Sequence, residues 1–207
     1  MRWRAILLFG APGSGKGTQG KVLGTIPAFC HISCGDVFRG MDLRTQVGQA
    51  FLKYSSAGKL VPDEVTVDLW RQHMDHLVTL GKFKPDIDHL VLDGIPRNVE
   101  QAKLLVNDLK VEALFHLVCH DRKKLEDRLK RRALRDNRLD DASDKVIHDR
   151  LLTYEKETKP VLEYYGEKIV KEIDAELFPF EVTRDILNQI QTTKVSRSKK
   201  ALSTVGV

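Results

Sequence analysis

Residues 10–18, Gly-Ala-Pro-Gly-Ser-Gly-Lys-Gly-Thr, have the spacing GxxxxGK. Glycines at 10, 13 and 15 let the backbone turn tightly around an anion with its N–H groups inward, and Lys16 adds a point charge for the outer phosphates of a nucleotide. The hydroxyl comes one residue later than usual, at Thr18, because Gly17 follows the lysine. A second candidate is Asp93, an acid that closes the apolar run His89-Leu90-Val91-Leu92. A carboxylate at a strand end beside a phosphate loop anchors the water shell of a magnesium ion, and the late hydroxyl of Thr18 is placed for the same task. The third component is a set of arginines: Arg39, Arg97, Arg128, Arg132, Arg138 and Arg150. Guanidinium is always charged and binds phosphate through two parallel hydrogen bonds. Phosphoryl transfer needs alignment and charge neutralisation more than covalent chemistry, so lysine, acid and arginines together suit it.

Such groups work only if the chain brings them to one place. Ala5–Phe9 is a short apolar run fitted to a buried strand, and the loop after it opens into a helix reaching about Leu23, whose N-terminal dipole faces the anion. Residues 28–32 form a second strand-like run. Ser33-Cys34-Gly35-Asp36 then leads into a short helix, with Asp36 as its N-cap or first-turn acid. Leu43, Val47, Ala50, Phe51 and Tyr54 recur at helical spacing across residues 42–57, and residues 59–64 turn the chain into a helix over 65–77. His89–Gly94 and Ala113–Cys119 read as buried strands and Lys168–Ile173 as the last. Between them the pattern predicts a helix ending near Leu109, a basic helix over 122–132, one long helix over 143–165 and a final helix over 179–191. Alternating strands and helices of this kind specify a three-layer α/β/α fold around a parallel sheet, whose strand ends at Lys16 and Asp93 share one edge.

Composition limits the alternatives. A chain of 207 residues, 42% hydrophobic and 30% charged, has the make-up of a globular domain with one sizeable core. The net charge of +5 is concentrated at the end: Lys194, Arg197, Lys199 and Lys200 lie within the last 17 residues, which hold no acid, and taking those four away leaves about +1. A near-neutral body is a poor footprint for a nucleic acid, so none is expected as a partner. The polar tail, residues 192–207, is expected to be disordered. Cys30, Cys34 and Cys119 lack the close pairing of zinc sites or disulfide frameworks and read as separate thiols. The first apolar run is too short for a secretory segment and is already used by the strand, so a cytoplasmic protein without a membrane span is expected.

Several stretches together resemble the nucleoside monophosphate kinases, and among them the adenylate kinase family, across roughly residues 5–190. They are GAPGSGKGTQ (10–19), ISCGDVFR (32–39), AGKLVPDE (57–64), LDGIPRNVEQA (92–102), DRLKRR (127–132), RLDD (138–141) and DRLLTY (149–154). The resemblance implies a core of residues 1–32, 62–131 and 143–191, an insert over 33–61 that grips the monophosphate, and a short lid over 132–142. It implies Mg²⁺-dependent, reversible transfer from ATP to AMP giving two ADP, by a monomer. Gly13, Ser14, Gly15, Lys16, Gly17 and Thr18 would bind the ATP phosphates, with Arg128 and Arg132 beside them. Cys34, Arg39, Lys59, Leu60, Val61, Gly94, Arg97 and Gln101 would form the AMP site, together with Arg138 and Arg150. Arg138 and Arg150 would clamp the transferring group, making Lys16, Arg97, Arg128, Arg138 and Arg150 the catalytic set. Gln101, one helical turn beyond Arg97, would read the adenine through its amide. Cys34 stands where the family carries a hydroxyl, and Ile95 where it carries phenylalanine. The lid stretch has no Cys or His, so no zinc is expected. The competing expectations are a UMP or CMP kinase and, from another class, a non-catalytic nucleotide-binding module.

Overall fold

The computed structural model describes residues 2–42, 44–57, 59–136 and 143–192. Arg138, most of the lid stretch and the tail beyond residue 192 lie outside the described residues.

A five-stranded parallel sheet has the order β2-β3-β1-β4-β5, from β1 (Trp3–Phe9), β2 (Phe29–Ser33), β3 (His89–Asp93), β4 (Leu109–Val118) and β5 (Val170–Asp174). Ala5 to Phe9 and all of β3 are buried, because both faces of a parallel sheet are covered and its central strands therefore read as unbroken apolar runs. Side chains alternate across β1. Ala5, Leu7 and Phe9 enter one core with Trp70, Met74 and Phe83, while Ile6 and Leu8 enter the opposite core with Phe115, Val182 and Ile186. The first core is roofed by α2 (Cys34–Arg39), α4 (Asp63–Thr79), α5 (Val99–Leu104) and α8 (Pro160–Tyr165), which supply Phe38, Trp70, Ala102 and Val161. The second is closed by α1 (Lys16–Leu23) and α9 (Pro179–Thr192) through Leu23 and Ile186. A smaller cluster of Leu125, Leu129, Ile147 and Leu151 joins α6 (Arg122–Asp136) to α7 (Asp144–Thr153).

The three-layer class expected from the pattern is therefore the observed one, with several boundaries moved. The helix expected over 42–57 is α3 (Gln46–Ser56), because Thr45 caps it by accepting a hydrogen bond from the Gly48 N–H, and the Asp42 carboxylate instead accepts from Arg44. Helix α4 begins at Asp63 rather than 65, and Ser33 rather than Asp36 caps α2, leaving Asp36 in the first turn. Helix α5 stops at Leu104, because the chain must turn before Leu109 pairs with Trp3. Strand β4 thus begins four residues before Ala113, and helix α6 runs past 132 to Asp136. The single helix expected over 143–165 is interrupted by a π turn at Tyr154–Thr158, where the Lys159 N–H donates to Tyr154 O and Pro160, lacking an N–H, starts α8.

Candidate active site

The phosphate loop leaves the end of β1 with Gly10, Gly13 and Gly15 at φ of 144°, 87° and 98°. Gly10 is the most constrained. A Cβ there would lie 2.5 Å from Leu117 O and 2.6 Å from Ser14 Oγ, so the chain could not pass this close to β4 with any other residue. Gly15 is the left-handed N-cap of α1, and its carbonyl accepts from the Thr18 and Gln19 N–H groups. Gln19, buried one turn on, donates from Nε2 to Pro179 O at 2.9 Å and accepts from Thr183 Oγ1 at 2.6 Å, tying α1 to α9.

Lys16 folds back over the loop and donates to Gly10 O at 2.7 Å and Ala11 O at 3.1 Å. The residue is half-buried, and burial pushes its pKa down to about 8. Asp93 opposes that shift, while Arg132, Arg97 and Arg150 add to it, so these charges act on the lysine together. Asp93, at the end of β3, pairs in register with Leu8 on one side and Ser33 on the other. Its Oδ2 would lie 3.5 Å from a Cβ on Gly17, which places a buried carboxylate against the first turn of α1.

The arginines arrive on separate elements. Arg97 follows the cis Ile95–Pro96 bond and donates from Nε to Gly94 O at 3.0 Å, while Gly94 itself has φ 79°. Arg39, at the end of α2, pairs with Asp36 at 2.5 Å. Arg128 and Arg132 project from α6, and Arg128 donates to Ala175 O at 3.0 Å. Arg150 comes from the last turn of α7. Cys34 is buried between Arg39 and Arg97, and burial, with Asp93 adding to it, raises its thiol to about 11 against the opposing pull of those arginines. Lys59 is exposed, Leu60 half-buried and Val61 buried.

All these groups border one cleft of about 720 Å³ at the carboxyl ends of the strands. Of the residues expected in the site, each one within the described part of the chain lines that cleft; Arg138 lies outside the described residues. The base-reading role expected of Gln101 meets an unforeseen arrangement. Its amide is buried, accepts from the Arg97 N–H at 2.7 Å and donates to Asp63 Oδ1 at 2.8 Å. In the sequence Asp63 belongs to the turn over residues 59–64. The separation of 38 positions between Asp63 and Gln101 leaves no local signal of their contact. Tyr154 was missed for the same reason: it borders the cleft and bonds to His116 on β4.

A glycine loop feeding a helix, a buried lysine, a strand-end carboxylate and convergent arginines define the class, a phosphotransferase of the nucleoside monophosphate kinase type. Comparison with known proteins narrows it. The model of the family described as Adenylate kinase matches residues 8–170. The adenylate kinase of Corynebacterium urealyticum is 38% identical over 177 residues, 83% of this chain and 90% of that protein. That of a Cyanothece species is 35% identical over 201 residues, 91% and 96% of the two chains, and that of Chlamydia muridarum 31% over 230, 95% and 90%. The chain belongs to the adenylate kinase family.

Proposed function

We propose that the protein catalyses the reversible Mg²⁺-dependent transfer of a phosphoryl group from ATP to AMP, giving two ADP. The observation that carries this reading is that Lys16 shares one cleft with Asp93, Arg97, Arg132 and Arg150, which come from β3, the turn after it, α6 and α7. Guanidinium groups gathered beside an ammonium suit a polyanion, and two nucleotides bound end to end are such a polyanion. In this reading Gly13 to Thr18 cradle the ATP phosphates through backbone N–H groups and Lys16, and Arg128 and Arg132 flank them. Arg39 and Arg97 hold the phosphate of AMP; Cys34, Lys59, Leu60, Val61, Gly94 and Gln101 surround the rest of that nucleotide. Arg150, with Arg138, neutralises charge on the phosphoryl group as it moves between the two.

The described residues contain no group of three or more His, Cys, Asp or Glu that could hold a metal ion by themselves. That fits magnesium, which keeps several waters and binds through substrate phosphates and one carboxylate. Asp93, buried beside Gly17, and the Thr18 hydroxyl would hold those waters. When bound, the ion would neutralise charge on the phosphate oxygens. Zinc has no part in the proposal. Among the described residues no helix is long and apolar enough to cross a membrane. The reading is completed by a cytoplasmic monomer with an insert over residues 33–61 and a lid over 132–142 that close on the substrates.

The test is ADP production from ATP with AMP, UMP, CMP or GMP, each with and without Mg²⁺. Fast turnover of AMP alone, dependent on Mg²⁺, is expected. Equal use of UMP would replace the adenylate reading with a broader kinase, and nucleotide binding without transfer would make the chain a binding module.

A further inference from the structure

We propose that Asp63 is a positioning residue for acceptor selection, holding the Gln101 amide in the one orientation that matches adenine. The inference rests on the proposed use of AMP. Asp63 opens α4 and reaches across to α5, where its carboxylate accepts from Asn98 Nδ2 at 2.9 and 3.1 Å and from Gln101 Nε2 at 2.8 Å. Asn98 is the N-cap of α5, and its Oδ1 accepts from the Gln101 N–H at 2.8 Å. On the other side the Arg97 N–H donates to Gln101 Oε1 at 2.7 Å.

The lock follows from the chemistry of the two partners. A backbone N–H only donates and an ionised carboxylate only accepts, so one amide orientation satisfies both. Turning the amide over would set its NH₂ against the Arg97 N–H and its oxygen against the Asp63 carboxylate, replacing two hydrogen bonds by two repulsions. Gln101 is 1% exposed and borders the cleft, with one N–H and one carbonyl lone pair still unused. That remainder is an acceptor beside a donor. Adenine offers the complement, an exocyclic N–H donor beside a ring-nitrogen acceptor, and cytosine offers the same order. Held in the same pose, guanine through O6 and N1–H and uracil through O4 and N3–H offer the reverse, a carbonyl beside a ring N–H, and match the turned-over amide. Asp63 therefore sets selection against guanine and uracil, while cytosine is left to be rejected by size.

Asp63→Asn is the test, because an amide at 63 can donate as well as accept and so serves either orientation of Gln101. The readout is kcat/KM for the four monophosphates at fixed ATP. One bidentate base contact is worth roughly tenfold or more in discrimination. The AMP/GMP and AMP/UMP ratios are therefore each expected to fall about tenfold, with AMP/CMP changed less than about twofold and the KM for ATP unmoved. Unchanged ratios, with all four monophosphates losing rate together, would make Asp63 a structural residue only and overturn the proposal. If Asp63→Asn melts below the assay temperature, Asp63→Ser is read by the same ratios. For the wild type, hydrogen exchange observed by NMR gives a measurement independent of any variant: the Gln101 side-chain proton facing Asp63 resists exchange, and free exchange there overturns the lock. A wild type that ignores AMP defeats the proposed function, whereas one that prefers AMP with ratios untouched by Asp63→Asn defeats this inference alone.

Discussion

His116 Nε2 lies 2.8 Å from the hydroxyl of Tyr154, a buried hydrogen bond between the middle of the sheet and the first residue of the π turn. Burial pushes the His116 pKa down, which favours the neutral ring and its hydrogen bond with the phenol. The other ring nitrogen lies 3.6 Å from Glu172 Oε1. The bond anchors the turn that follows Arg150, and so connects the core to the end of α7.

Tyr154→Phe should leave a buried ring nitrogen without its partner and cost about 1–2 kcal/mol. For a chain of this size that lowers Tm by roughly 3–6 °C. The double variant Tyr154→Phe/His116→Leu should recover part of the loss, since removing both partners costs less than stranding one. Calorimetry on the three proteins decides it: a Tyr154→Phe protein that melts with the wild type would show that the bond holds nothing in place.

Lys16→Met should lower kcat by at least about 10²-fold, in line with losing a single preorganised charge at the site of transfer. Its Tm should stay within a few degrees, because the ammonium is buried at a cost and its removal offsets the lost bonds to Gly10 O and Ala11 O. Activity within tenfold of wild type would remove Lys16 from the mechanism.

The lowered pKa of Lys16 has a signed consequence. Between about 8 and the ordinary 10.5 the unfolded chain holds a proton that the ligand-free fold has released, so this group's contribution to stability rises with pH across that window. Phosphate binding reverses the balance by favouring the charged form, so ATP should bind with proton uptake above pH 8 and lose affinity as pH rises further. Titration calorimetry at pH 8.5 in buffers of different ionisation enthalpy measures the uptake directly. Heats independent of buffer there would show that the lysine stays protonated throughout.

Gln19→Ala should destabilise the fold by about 2–3 kcal/mol, combining a small cavity with the lost bonds to Pro179 O and from Thr183. Loss of the tie frees α1, so the KM for ATP should rise more than that for AMP. Denaturant unfolding showing less than about 0.5 kcal/mol of change would mean that α9 is held by its apolar contacts alone.

Much of this protein was legible before any coordinates. The core strands are short apolar runs because both faces of a parallel sheet are dry, and that pattern is local in the chain. The same is true of the phosphate loop, whose glycine spacing is dictated by the backbone around one anion, and of Asp93, placed by its position at a strand end. Local signals also named the arginines one by one. Where the expectations slipped, a distant partner decided. Helix α5 ends early because β4 must reach Trp3, and the long helix after Ser143 breaks where Pro160 withholds a donor while Tyr154 reaches the sheet. Periodicity within a window cannot register a contact 38 residues away, so Asp63 read as part of a turn, and Gln101 as a base-reading amide with no partner from α4. The chain by itself determined which chemistry was available: which groups could carry charge, turn around a phosphate or cap a helix. Only the tertiary structure decided how those groups constrain one another. A lysine's pKa and an amide's orientation depend on what is packed against them, and packing joins residues that sequence keeps apart.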